Sequence, residues 1–220
     1  MVNIALICEG ISENKMLNHF ILRFLGEECC VNAIQPEISE TKRGTVQASG
    51  GGWSEVLHHC NDEVIEKALV FNDYVVIQID TDACYQTEYG VSLLDASGLR
   101  RADNEIYIDV CNRLCQQISS KYRNKIIFAI CFDETECWLL PLYYTDKKRC
   151  ATHNCIYTLN KALAKKQLPG VPDKDKNSPN AIKAYSKILK EVKNKKKVIE
   201  ISKYNYGFSK FIEQLDTIKI

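Results

Sequence analysis

Apolar positions along this chain follow two alternating patterns. Residues 2–8 (VNIALIC), 74–80 (YVVIQID) and 125–133 (KIIFAICFD) are short, nearly continuous apolar runs, several rich in β-branched residues, which predicts buried strands. Between them apolar residues recur at helical spacing. Met16, Phe20, Ile21, Phe24 and Leu25 predict a helix that Ser12 can cap and Gly26 can close. Val56, Leu57, Cys60, Val64, Ile65 and Leu69 predict one helix over 54–69, and another is expected over 103–120. A further strand is expected within 30–38. Residues 39–53 (SETKRGTVQASGGGW) and 81–103 are polar stretches, expected as loops, and the first is rich in glycine.

Strands that alternate with helices predict an α/β protein with a mostly parallel four-stranded sheet and helices on both faces. After Pro141 the pattern changes. Helices are expected over 153–168, 179–193 and 208–215, and a short strand at 197–202 (KVIEIS). The intervening segment 167–180 (QLPGVPDKDKNSPN) holds three of the five prolines and is expected to be a loop. The chain therefore divides into an α/β domain, 1–145, and a mainly helical extension packed on it, 146–220.

Charge sharpens that division. The net charge of +1 conceals 11 Lys and Arg against 21 Asp and Glu over residues 1–140, and 18 against 7 over the rest. An acidic first part joined to a basic last part suggests a metal-binding core with an arm for a polyanion. The lysine run Lys193, Lys195, Lys196 and Lys197 is the candidate nucleic-acid contact; the plainer alternative is a solvated surface. No apolar stretch is long enough to span a membrane, and the N-terminus carries no leader pattern, so a cytoplasmic location is expected. The eleven cysteines are then read as reduced, mostly small buried hydrophobes, in preference to a zinc site built from Cys150, His153 and Cys155.

The candidate chemistry lies at strand ends. Glu9 follows the first apolar run beside Gly10, and carboxyl ends of strands are where open α/β sheets place ligands. Asp80 closes another buried run, and Asp82 lies two residues on. An extended backbone would aim both carboxylates the same way, where they repel unless a cation sits between them. Mg²⁺ or Mn²⁺, which take oxygen ligands, suit such a pair. Glu134 and Glu136 follow the last core strand, and would share a face if extended; otherwise they are acids at the start of a helix. Glu13 is either a further ligand or an acid favoured by the helix amino terminus.

Strand, Glu-Gly, helix, then strand-Asp-x-Asp resembles the Toprim domain. Within that family CEGISE (Glu9, Gly10, Glu13), IDTDA (Asp80, Asp82) and ETECWLLP (Glu134, Glu136, Trp138) are most similar to OLD-type and stand-alone prokaryotic members, over roughly residues 1–145. The resemblance implies a Mg²⁺-dependent nuclease with Glu9, Asp80 and Asp82 as catalytic residues and metal ligands. Glu13, Glu134 and Glu136 would complete the metal site. It also implies DNA or RNA as substrate, a toxic role in antiphage defence, and room for a homodimer. No GxxxxGK[ST] motif is present, so any ATPase would be a separate partner protein. Two rivals stay open: a non-catalytic module that binds metal, nucleic acid or a partner, and a DxD nucleotide-sugar transferase. The transferase gives no reason for Glu9.

Overall fold

The computed structural model describes residues 1–41, 44–47, 49–172 and 175–219. Its centre is a four-stranded, all-parallel sheet in the order β2-β1-β5-β6, built from β1 (Val2–Ile7), β2 (Cys29–Gln35), β5 (Tyr74–Asp80) and β6 (Ile126–Cys131). Because side chains alternate across a strand, each strand feeds two cores. Ile4, Leu6, Cys8, Val76, Ile127 and Ala129 face one side; Ala5, Ile7, Val75, Ile77, Ile79 and Ile130 face the other.

The first face is covered by α1 (Ile11–Leu25) and by four later helices, α5 (Cys155–Lys165), α6 (Pro179–Leu189), α7 (Lys195–Ser202) and α8 (Tyr206–Leu215). The second face is covered by α2 (Trp53–His59), α3 (Asp62–Leu69) and α4 (Asp103–Leu114). The chain passes from β1 outward to β2, then returns to the other side of β1 with β5. That reversal falls at the carboxyl ends of β1 and β5, the ligand position of doubly wound sheets. Among the described residues, no helix is long and apolar enough to cross a membrane.

Several local expectations are corrected. The helix expected over 54–69 is two helices, because the Asn61 side chain accepts the Val64 N–H (3.1 Å) and caps a fresh start. The glycine-rich segment is not all loop: β3 (Ile38–Thr41) and β4 (Gly44–Gln47) form an antiparallel hairpin. The expected strand KVIEIS belongs to α7. There Asn194 caps the Lys197 N–H (3.0 Å), and Val198 and Ile201, three apart, are the buried pair. Glu134 is extended, but Thr135 and Glu136 are not. Asp133 adopts φ 64°, which turns the chain out of β6 into a 3-10 helix over Thr135–Leu142.

That 3-10 helix is anchored from both ends of the chain. Trp138 is fully buried and stacks on Phe208 of α8 with ring centroids 4.3 Å apart, with Phe20 of α1 alongside. Cys137 is bonded to Cys155 at the start of α5, which corrects the reading of the cysteines as reduced and of Cys137 as a simple buried hydrophobe. The pairing also removes Cys155 from the zinc set considered with Cys150 and His153. Residues after 150 thus share one core with β1 and α1.

Candidate active site

Glu9 follows β1 at this switch point. Its backbone N–H donates to Gln78 Oε1 (3.0 Å), and its carboxylate accepts the Asp80 N–H (2.6 Å), which ties the ends of β1 and β5 together. Asp80 is almost wholly buried. Its Oδ1 accepts from Gln78 Nε2 and from Thr135 Oγ1, each at 2.7 Å. Asp82 lies at the exposed rim, where its N–H donates to the Asp133 carbonyl (3.0 Å). The two aspartates are therefore not equivalent, contrary to the simple i, i+2 expectation: one is sealed in, the other faces solvent.

Gly10 answers to space. A methyl group there would lie 2.6 Å from Glu13 Oε2 and 2.9 Å from Asn177 Oδ1, so only glycine lets both approach. Glu13 is buried in the first turn of α1, and the Ser12 hydroxyl reaches its carboxylate at 2.8 Å. The glycine loop before α2 closes on the same point: the Gly52 N–H donates to the Glu9 carbonyl (2.7 Å). A methyl at Gly51 would strike that carbonyl at 2.5 Å. The loop thus lies beside Glu9. Trp53 begins α2 and packs against Tyr89 (5.7 Å between centroids).

The residue that organises these acids has no distinguishing signal in the sequence. Lys176, from the proline-rich segment between α5 and α6, places Nζ 3.0 Å from Glu136 and 3.2 Å from Glu134. Glu136 is fully buried and also accepts a short hydrogen bond from the Tyr185 hydroxyl of α6. Glu134 accepts the Ile156 N–H of α5 (2.8 Å). Only geometry could find Lys176, since nothing separates it in sequence from its many neighbouring lysines. Burial alone would lower its pKa, but Glu136, Asp80, Glu13 and Glu134 outweigh that and hold the ammonium charged.

One ammonium does not balance this many carboxylates. Burial, reinforced by Glu13 and Asp82, pushes Glu9 up to about 8, against the hydrogen bond from the Asp80 N–H. Burial also raises Asp80 well above the usual range, with Glu9 adding to it, and raises Glu13, with Glu136 adding. Glu134 is raised by burial and then by Glu136; Asp82 is raised by the surrounding walls, against Lys176. Among the described residues no three His, Cys, Asp or Glu groups converge as closely as a formed metal site requires. The donor set, six carboxylates that share one ammonium, fits a cation that takes oxygen ligands.

The remaining candidates lie elsewhere. Lys195 Nζ sits 4.0 Å over the Phe24 ring and pairs with Asp216 (3.2 Å), and Lys197 pairs with Glu200 (2.9 Å). Phe24 is eleven residues past Glu13 along α1, roughly 16 Å at helical rise. Lys195 is therefore at the opposite end of that helix from the acids, and Lys193, Lys196 and Lys197 are its near neighbours in sequence. His153, considered for zinc, is 3.5 Å from Asp133. No protein-family model, curated protein or solved structure matches this chain.

Proposed function

We propose that the chain is a Mg²⁺- or Mn²⁺-dependent nuclease of Toprim type, with residues 146–220 as a helical extension that completes its site. The observation that carries this reading is the pairing of Lys176 with Glu134 and Glu136, with Glu9, Glu13, Asp80 and Asp82 close enough to feel its charge, where the strand order reverses. Glu9, Asp80 and Asp82 are the residues to hold the cation, with Glu13, Glu134 and Glu136 available to complete its surroundings. When bound, the cation supplies activation of water and polarisation of a phosphoryl oxygen. The chain's own groups do the rest. Gln78 and Thr135 fix the Asp80 carboxylate, Ser12 fixes Glu13, and Tyr185 fixes Glu136. Lys176 offers a positive charge where a phosphodiester gains negative charge during displacement.

A non-catalytic metal-binding module would need the same carboxylates but no ammonium held among them, so Lys176 favours the hydrolase. Incubation of labelled DNA and RNA, single- and double-stranded, with the protein in Mg²⁺ or Mn²⁺ tests it. Cleavage that EDTA stops and that Asp80→Asn abolishes is expected. Intact substrate under all metal conditions, or cleavage unaffected by Asp80→Asn, would overturn it.

A further inference from the structure

A groove of about 440 Å³ runs between α1 and α6, on the face away from α2–α4. Lys15 and Arg23 of α1 line one wall; Lys190 and Lys193 line the other, and no carboxylate is among its lining residues. None of these four cations forms an ion pair among the described residues. By contrast, Lys195 and Lys197 nearby have acidic partners. His19, in the same groove, registers the field: burial lowers its pKa, and Arg23 and Lys15 lower it further. In a chain of net charge +1, an unpaired basic cleft has no folding role to explain it.

The groove continues into a second cavity of about 270 Å³, with which it shares Lys15 and Asn18. Ile11, Val31, Ala33 and Ile182 give this cavity apolar walls. Asn14 also lines it, is 6% exposed, and leaves Nδ2 without a hydrogen-bond partner; Asn18 Oδ1 is equally unpartnered. Buried amide groups without partners are costly unless a ligand or water satisfies them. Ile11 is two residues from both Glu9 and Glu13. Cations spaced along α1 from Lys15 to Arg23, about 12 Å at helical rise, thus lead to a cavity with apolar walls at the amino-terminal end of α1, the end that carries Glu13.

We propose that this groove is the track for single-stranded nucleic acid, with backbone phosphates on Lys15, Arg23, Lys190 and Lys193 and an unstacked base in the cavity at Asn14 and Asn18. Charge complementarity selects a polyanion, and the apolar cavity selects one with exposed base faces over a duplex. This deepens the nuclease reading and rests on it for the direction of the strand, from the lysines toward the acids.

The test separates binding from cleavage. Fluorescence anisotropy of a labelled 12-nucleotide single strand, in EDTA, reads the groove with no chemistry. Arg23→Glu/Lys190→Glu should weaken binding at least 30-fold. The milder Arg23→Gln/Lys190→Gln should flatten its salt dependence, by roughly 0.7 in log-log slope for each phosphate left without its cation. Lys195→Glu/Lys197→Glu should change affinity less than threefold. Both groove variants alter exposed side chains, and matching thermal melts of all three double variants would confirm their fold. Wild-type affinity in the groove variants, an equal loss in the Lys195/Lys197 control, or tighter binding of duplex would overturn the track. So would binding to phosphatidylserine vesicles with no binding to the oligonucleotide. Groove-dependent binding with no cleavage in Mg²⁺ would sink the nuclease reading alone; cleavage indifferent to the groove variants would sink the track alone.

Discussion

Lys176 Nζ lies 3.0 Å from Glu136 Oε2, joining a proline-rich loop of the last third to the buried acid that follows β6. This contact makes the acid cluster the product of both halves of the chain. Lys176 is about one-quarter exposed and Glu136 is fully buried, so the pair is desolvated enough for its loss to matter. Removing one partner of a buried pair costs about 3–5 kcal/mol. Lys176→Met is expected to lower the melting temperature in EDTA. Added Mg²⁺ should restore more stability to this variant than to the wild type, because the cation then supplies the missing charge. Thermal denaturation with and without Mg²⁺ measures both; equal Mg²⁺ responses would remove Lys176 from the cation's surroundings.

The raised carboxylates fix the pH behaviour of the metal-free protein. A Glu9 pKa near 8, set mainly by burial, means that the folded state holds this proton more tightly than the unfolded chain. Its contribution is therefore fully present below the ordinary glutamate pKa and is lost as pH rises through about 8. Asp80 and Glu13 shift in the same direction. In EDTA, the urea midpoint should fall as pH rises from about 5.5 to about 8.5, and Glu9→Gln should flatten the fall. Divalent-cation affinity should rise over the same range, since ligands bind deprotonated. A midpoint that climbs with pH would contradict the burial of these acids.

Gly10 admits no side chain without moving Glu13 or the turn at Asn177. Gly10→Ala should cost about 1–3 kcal/mol from overpacking and reduce cleavage more than it reduces oligonucleotide affinity. Equal activity in the alanine variant, read in a steady-state assay, would show that the two contacts are loose.

The bond between Cys137 and Cys155 closes a loop of sequence separation 18 beside Glu136. Alkylation of the unfolded, unreduced protein should label nine of the eleven cysteines by mass spectrometry. Reduction should lower stability by about 3 kcal/mol on chain-entropy grounds. Labelling of all eleven would show that the pair is reduced in solution.

The sheet and the acids were legible because their signals are local. β1, β5 and β6 are apolar runs that end near Glu9, Asp80 and Glu134, and strand ends need no knowledge of what packs on them. The lysine that completes the site was not legible. Lys176 sits in a run of charged residues with no periodicity, and only the packing of α5 and α6 on α1 carries it to Glu136. The run Lys195–Lys197 drew attention by density alone, yet α7 uses it at a helix start, where Asp216 and Glu200 pair two of the three. Local rules also misjudged KVIEIS, whose β-branched residues suggest a strand; the cap at Asn194 and burial of Val198 and Ile201 decided for helix. At Asp133, a single left-handed residue turned an expected extension into a 3-10 helix, which no short-range pattern announces.

A divalent cation held by the carboxylates around Lys176 is what the nuclease reading requires before anything else. Crystals of the protein soaked in Mn²⁺ and measured at the manganese absorption edge look for it directly. Anomalous density is expected among Glu9, Asp80 and Asp82, and it should disappear in Asp80→Asn crystals. Fully soaked wild-type crystals with no anomalous density among these side chains would contradict it.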